Sequence, residues 1–365
     1  MKAKAAVFQK ANQPFVVQEF DITKTPSGYA RMDLIASGVC GTDVHFHKGR
    51  LPIAGPTIIG HEFVGKIADM NPINGDDYGL KVGDNVIADI AVPCGKCLLC
   101  KTGDEANCVH MGVTNGGDIH VAPYLYGGYA EVNYTPLTNL VKIPENVNPT
   151  EACVFACPGP TALHAFALAK RAGVESKDIH SAVIQGLGPV GMFALIYLKA
   201  LGVERVFAIH AGENTKREEQ AKAFGVEAIF NLSHQSADEI DAILKQENEG
   251  LGVDLVFEAS GAPQAMVQGM DILRNRGVYL VPGQYSNSGG VTIQPQLITF
   301  KALRILGSSQ YTISDVKDYL AFLSRHPEYR ERILNMANFY PISKVNQAFA
   351  DAEAGRNGKT VLVKG

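Results

Sequence analysis

The spacing of apolar residues changes character part-way along the chain. Up to about residue 150 the apolar runs have strand length: AKAAVF at 3–8, YARMDLIAS at 29–37, FVGKIADM at 63–70 and GDNVIADIA at 83–91. Pro26, Gly28, Gly38 and Gly41 punctuate them, and no long amphipathic helix repeat occurs among them. This predicts an irregular β-rich domain with the outline of a distorted barrel.

Beyond that point strand-like and helix-like runs alternate. TALHAFALAKRAG (161–173) is a helix former, and SAVIQGLGPVGMFALIYLKALG (181–202) reads as a buried strand, a glycine turn and an apolar helix. VERVFAIH, TKREEQAKAFG, EAIFN, ADEIDAILKQENEG, VDLVFEAS, PQAMVQGMDILRNRG, VYLVPG and ALRILGSS continue the alternation to residue 309. Strands alternating with helices predict a parallel sheet covered on both faces, an α/β fold. The tail predicts helices over 312–325 and 342–354 and a closing strand, KTVLVKG.

Composition sharpens this only a little. A chain of 365 residues, 46% hydrophobic, holds enough material for two domains with large cores. A net charge of -4 without a basic stripe argues against a nucleic-acid partner. The N-terminus, MKAKAAVFQKANQPF, lacks the apolar core of a signal peptide, and no apolar run has bilayer length. The expectation is a cytoplasmic protein with no membrane partner.

The cysteines change the picture more. Clustered cysteines in a long chain of this kind read as metal ligands rather than disulfides. CGKCLLCKTGDEANC places Cys94, Cys97, Cys100 and Cys108 in one short segment. Four thiolates there can close a tetrahedral zinc site with no open position, which ties down a loop that has little core of its own. An iron–sulfur cluster is the rival, although Val109 stands where ferredoxin-like runs have Pro.

A second candidate lies in GVCGTDVHFHKGRLPIAGPTIIGHEFVG, residues 38–65. Cys40, Thr42, Asp43, His45, His47, His61 and Glu62 offer sulfur, nitrogen and oxygen donors, but the segment lacks a third strong ligand for an open zinc site.

Gly186-x-Gly188-x-x-Gly191 follows the strand AVIQ and opens a helix, where a dinucleotide fingerprint belongs. Gly186 permits the turn, Gly188 lets backbone approach a pyrophosphate, and Gly191 lets helix and strand pack. Pro189 and Val190 complete that loop, at a helix N-terminus suited to phosphate. The strand that should end in an acid for the adenosine ribose ends in His210. Glu213 could reach the 2′-hydroxyl from the loop. Alternatively, His210, Lys216 and Arg217 could cradle a 2′-phosphate, or Lys216 and Arg217 could simply start a solvated helix. The balance tips towards NAD over NADP.

At this point the motifs GVCGTDVH, GHEFVG, KVGDNV, the four-cysteine segment, GLGPVG, VFEASG and KTVLVKG together resemble the zinc-containing medium-chain alcohol dehydrogenases, in the branch of sorbitol and threonine dehydrogenases. The resemblance spans essentially the whole chain. It implies a GroES-like β-barrel catalytic domain from 1–151 and 311–365, and a doubly wound Rossmann domain from 152–310. It also implies a homodimer or homotetramer with its interface near 292–309, and a small alcohol or polyol as substrate. The third catalytic ligand is then Cys157, in EACVFACPGPTALHAF, where several polyol dehydrogenases have Glu. Cys40, His61 and Cys157 would leave one position open on a zinc that makes a bound alcohol acidic. Two zincs per chain follow, one catalytic and one structural.

The resemblance further implies a proton relay from Thr42 through the nicotinamide ribose to His45, with Asp43 orienting the ligands, and it adds Thr161 to the cofactor-binding positions. Glu62 either touches zinc transiently or is a buried carboxylate held by an Arg. Cys153 reads as a small buried residue, His164 as packing, and His47 as a solvated histidine. Tyr124, Tyr126 and Tyr129 either shape the substrate pocket or pack a loop. The rival functions are a zinc-independent quinone reductase and a non-catalytic relative such as a lens crystallin. The intact set of Cys40, His61 and Cys157 argues against both.

Overall fold

Alternation of inward and outward side chains along Tyr29–Gly38 builds the first layer. Ala30, Met32, Leu34 and Ala36 are buried on one face of this strand. In this computed structural model, which describes residues 1–365 except Asn214, Ser286 and Asn287, the chain divides into two units: 1–160 with 310–365, and 161–309. The expected division after 151 therefore moves. The helix Pro149–Val154 packs on the strands Tyr29–Gly38 and Glu62–Asn71, which holds the following residues, Cys157 included, in the first unit.

The first unit contains, besides two two-stranded sheets, a seven-stranded sheet in the order Ala337–Pro341, Lys359–Val363, Tyr29–Gly38, Glu62–Asn71, Asn85–Ala88, Leu140–Lys142, with Val132–Pro136 also on Tyr29–Gly38. Its core gathers Phe8, Phe15, Met32, Phe63, Tyr129, Tyr134 and Phe349. Register matters most for function. Tyr29–Gly38 runs antiparallel to Glu62–Asn71, and the last pair is Gly38 with Glu62. That pairing brings together Cys40 and His61, which lie just beyond the paired ends. Lys359–Val363 joins the other edge, with Val361 opposite Gly38. The helix Pro327–Leu334 and the strand Ala337–Pro341 were not expected from the pattern.

The second unit is a six-stranded parallel sheet in the order Ala228–Asn231, Arg205–His210, Ser181–Gln185, Val253–Glu258, Leu273–Val281, Arg304–Gly307. Every residue of Ser181–Gln185 and Val253–Glu258 is buried, as a sheet covered on both faces requires. In chain order the strands read 3-2-1-4-5-6, so the direction of winding reverses beside Ser181–Gln185, where doubly wound sheets bind ligands. The run 263–277, expected as one helix, is helical only to Ile272 and a strand from Leu273. Lys301 explains the stop: its Nζ donates to the carbonyls of Met270, Asp271 and Leu273, satisfying the helix end with a cation.

Candidate metal centres and dinucleotide site

Among the described residues, two groups of His, Cys, Asp or Glu gather their donor atoms within 4.8 Å of one another. One is Cys94, Cys97, Cys100 and Cys108; the other is Cys40, His61, Glu62 and Cys157. All seven cysteines are free thiols.

The four-cysteine group is built locally. Cys97 caps the short helix Leu98–Lys101, and its Sγ accepts from the Cys100 amide at 3.5 Å. The amides of Cys94 and His110 point at Cys108 Sγ, at 3.2 and 3.4 Å, and that of Cys97 at Cys94 Sγ, at 3.4 Å. Amides aimed at sulfur favour thiolate. The Cys100 amide is the main reason the Cys97 thiol is lowered to about 6, whereas burial pushes Cys100 up to about 12. Two sulfurs bonded to one tetrahedral zinc stand about 3.8 Å apart. Here Cys97 Sγ lies 3.4 Å from Cys100 Sγ and 3.9 Å from Cys108 Sγ, so the donor set fits a zinc ion.

The second group is assembled from three separate segments. Cys40 caps the helix Gly41–His47, His61 precedes Glu62–Asn71, and Cys157 lies between the helices Pro149–Val154 and Pro158–Arg171. Cys40 Sγ and Cys157 Sγ are 3.9 Å apart, again the separation that a tetrahedral zinc imposes. The contact between the two sulfurs lowers Cys40 and raises Cys157, as expected of two thiols sharing a proton. Burial disfavours a charged His61 ring, but Asp43 and Cys40 outweigh it and hold its pKa well above the usual value.

Asp43 is the hub behind these ligands. It is fully buried, its Oδ2 accepts from the Cys40 amide at 3.0 Å and from the Tyr129 hydroxyl at 2.7 Å, and its Oδ1 lies 3.4 Å from His61 Nδ1. With Nδ1 turned to Asp43, Nε2 is the nitrogen left to bind a metal. Burial first, and Asp43 next, push the Tyr129 phenol far above its ordinary value, so it stays a donor.

Glu62 and Lys359 form a second buried pair. Lys359 Nζ meets Glu62 Oε2, and both side chains are essentially inaccessible, at 1% and 0% exposure. The partner is therefore a lysine, not the expected arginine. Burial pushes Glu62 up to about 7 while Lys359 pulls it down. The pair crosses Gly38, where an added Cβ would sit 1.8 Å from Glu62 Oε2. Glu62 Oε1 has no hydrogen-bond partner among the described residues.

Thr42 Oγ1 lies 3.8 Å from Cys40 Sγ. His45 is half-buried, and burial together with Arg50 lowers its pKa. Cys153 is fully buried with its Sγ 3.6 Å from the Glu62 carbonyl, and His164 is buried. His47 differs from the expectation of a solvated ring: it stacks on Phe15 at 5.4 Å, and its Nδ1 lies 2.8 Å from Glu353 Oε1. Tyr129 is core rather than pocket wall, whereas Tyr124 and Tyr126 are half-buried.

In the second unit the glycine turn divides its labour. Gly186 has φ +98°, and a Cβ there would meet the Ser260 backbone at 2.8 Å. At Gly191 it would lie 2.0 Å from the Gly186 carbonyl. At Gly188, the N-cap of Pro189–Ala200, a Cβ meets nothing within 4 Å. A glycine needed neither for backbone strain nor for packing leaves open space in front of a helix N-terminus, which fits a pyrophosphate. Pro189 and Val190 are half-buried in the first turn of that helix, and Thr161 is half-buried in the helix Pro158–Arg171. The Gly186 amide donates to the Ile209 carbonyl at 2.7 Å, so the turn adjoins the end of Arg205–His210.

His210 is buried there, and its Nε2 lies 2.8 Å from Glu218 Oε1. Glu213, by contrast, is exposed and faces His234 at 3.1 Å. Lys216 and Arg217 are half-buried at the start of Thr215–Ala223, and burial lowers Arg217. Glu258 Oε1 accepts from the Ser260 amide and hydroxyl and from the Gly261 amide, fixing the loop beside the turn.

Sequence reasoning missed Lys359, Glu218 and the roles of Glu258 and Tyr129. Lys359 opens the motif KTVLVKG and Glu258 lies within VFEASG, so both were in view without a signal of their partners. No sequence signal marked Glu218.

Comparison with known proteins agrees with this picture. A profile described as "Alcohol dehydrogenase GroES-like domain" matches residues 27–145, and one described as "Zinc-binding dehydrogenase" matches 189–325. The chain is 30% identical to D-xylulose reductase A of Aspergillus oryzae over 91% of its own length and 88% of that protein's. It is 28% identical to a sorbitol dehydrogenase of Halalkalibacterium halodurans, covering 95% of each. The crystal structure of an alcohol dehydrogenase from Thermotoga maritima superposes with a TM-score of 0.90 at 28% identity, covering 100% of both chains. No helix among the described residues is long and apolar enough to cross a membrane. The chain belongs to the zinc-containing medium-chain alcohol and polyol dehydrogenases, α/β oxidoreductases of small molecules that use zinc and a nicotinamide cofactor.

Proposed function

We propose that this enzyme interconverts the secondary hydroxyl of a polyol and the corresponding ketone, using NAD(H), at a zinc held by Cys40, His61 and Cys157. The observation that carries this reading is the convergence of two sulfurs 3.9 Å apart and a carboxylate-oriented imidazole from three distant segments. When bound there, zinc supplies a Lewis acid that makes the substrate hydroxyl acidic. The chain's own residues do the rest. Asp43 orients His61 and the Cys40 backbone. Thr42 Oγ1, beside Cys40, is the first acceptor of the hydroxyl proton, releasing its own in exchange, and His45, whose pKa burial and Arg50 lower, is the last acceptor of the relay. Glu62, held back by Lys359, is a nearby carboxylate that could enter the ligand set. A second zinc on Cys94, Cys97, Cys100 and Cys108 does structural work.

Gly186, Gly188, Pro189, Val190, Gly191 and Thr161 belong to the dinucleotide site in this reading. NAD is favoured because carboxylates, Glu213 in the loop and Glu218 against His210, stand near the strand end where a 2′-phosphate would have to sit. Lys216 and Arg217 weaken that preference. The relatives named for xylulose and sorbitol support a polyol. A cytoplasmic homodimer or homotetramer completes the proposal; Val291, Ile293 and Phe300 expose apolar surface near the expected interface.

Elemental analysis of protein purified without chelator should find two zincs per chain. A panel of polyols, amino alcohols and secondary alcohols, tested with NAD and NADP, should give the highest kcat/KM for a polyol with NAD. One zinc or fewer, or turnover confined to primary alcohols, would overturn the reading.

A further inference from the structure

We propose that Tyr129 is a positioning residue for the catalytic metal ligands, acting through Asp43. This rests on the reading that Cys40, His61 and Cys157 hold zinc. The argument begins with how little freedom the phenol has. Tyr129 is 0% exposed, and its ring lies 6.2 Å from Phe15 and 5.7 Å from Phe349, edge-on to both. Its backbone is bound to the segment that leads into His61: the Tyr129 amide donates to the Ile59 carbonyl at 3.1 Å, and the Gly128 amide to that of Gly60 at 3.0 Å. Gly60 has φ +96°, and an added Cβ would meet the Tyr129 ring at 2.6 Å. The ring is therefore seated on the residue next to a metal ligand.

Among the described residues the hydroxyl has one hydrogen-bond partner, Asp43 Oδ2 at 2.7 Å. That oxygen also accepts from the Cys40 amide at 3.0 Å. Two donors on Oδ2 fix the rotation of the carboxylate about its last bond. The other oxygen, Oδ1, makes no hydrogen bond among the described residues and then faces His61 Nδ1 at an ion-pair distance of 3.4 Å. One phenol thus fixes one carboxylate, which addresses two of the three ligands, Cys40 through its backbone and His61 through its ring. A phenylalanine would fill the same space and leave Oδ2 with the Cys40 amide alone. The carboxylate could then swing, and the imidazole with it.

Transfer of zinc to a chromophoric chelator should show two phases in the native enzyme, one for each site. Tyr129→Phe should accelerate the phase of the Cys40–His61–Cys157 site about tenfold, the lower end for partners behind the ligands, and leave the four-cysteine phase unchanged. With cobalt in place of the catalytic zinc, the visible ligand-field bands should shift in position, which a change in overall stability would not cause. Phe349→Leu loosens the packing of the same ring without touching the hydroxyl. It should lower Tm while leaving release rate and bands native; equal acceleration there would assign the effect to packing and overturn the proposal.

Native release and native bands in Tyr129→Phe would overturn it directly, with the zinc reading intact. If Tyr129→Phe does not fold, Asp43→Asn decides: zinc held as tightly as in the native enzyme overturns the proposal, and site-selective release supports it. A native enzyme and a Cys157→Ser variant with equal zinc content would take down the zinc reading and this inference together.

Discussion

Both candidate metal centres are built on cysteine sulfurs, and they are built in opposite ways. The four-cysteine group lies within one segment, and backbone amides of that segment turn its sulfurs inward. The Cys40–His61–Cys157 group draws on three segments, and buried polar side chains surround it: Asp43 with Tyr129, and Glu62 with Lys359. A local centre can only stabilise its own loop. An assembled centre is held by a buried polar network, which allows one position to stay open without collapse. The difference teaches that the local centre should fail as structure and the assembled one as chemistry.

The sharpest break of that comparison is Cys157→Ala. It should lower kcat by more than about a thousandfold, roughly the several kcal/mol that a Lewis acid contributes, while Tm falls little and NADH binding persists. Near-native turnover would remove Cys157 from the ligand set.

Next in size is the network beneath the assembled centre. Lys359→Met leaves Glu62 buried without its cation, and breaking such a pair from one side costs about 3–5 kcal/mol. Denaturant unfolding should register that loss. Lys359→Met combined with Glu62→Gln should recover much of it, since the uncompensated charge is gone. A double variant no more stable than the single one would mean that the pair is not the origin of the loss.

Cys100→Ser addresses the local centre. It should lower Tm by on the order of 5 °C and reduce zinc by one per chain, with kcat per remaining catalytic zinc close to native. A large kcat loss at unchanged Tm would reverse the division of labour.

What was legible in the sequence follows the same line. The four cysteines, the glycine turn and the alternation of strands and helices are written in neighbouring residues, and each could be read directly. Cys157 could be placed only by resemblance, because nothing in EACVFACPG marks one cysteine over the other. The fold separates them: Cys153 faces the Glu62 carbonyl and Cys157 faces Cys40. Tyr129 looked like one of three loop tyrosines until the 59–60 and 128–129 segments paired. His47 looked solvated because its partners, Phe15 and Glu353, lie far off in sequence. Register and tertiary pairing hold this information, and a single chain's pattern does not disclose it.

Cofactor choice repeats the contrast on the smallest energetic scale. The residue nearest in sequence to the missing acid is Glu213, but it is 74% exposed on its side chain and faces an exposed surface partner, His234. A carboxylate in that setting is screened and entropically free, so it contributes little. Glu218 lies eight residues beyond His210, on the helix Thr215–Ala223, and its Oε1 stands 2.8 Å from the buried ring. A carboxylate held by a buried partner at the strand end repels a 2′-phosphate more effectively than one in a loop. The expected preference for NAD is about tenfold, or about 1.4 kcal/mol. Glu218→Gln should remove most of it, and Glu213→Gln should change it by less than about threefold. The comparison is the ratio of dissociation constants for NADH and NADPH, measured by fluorescence so that the metal site does not enter. If Glu213→Gln abolishes the preference and Glu218→Gln does not, the loop carboxylate is the selector and the buried pair is only packing.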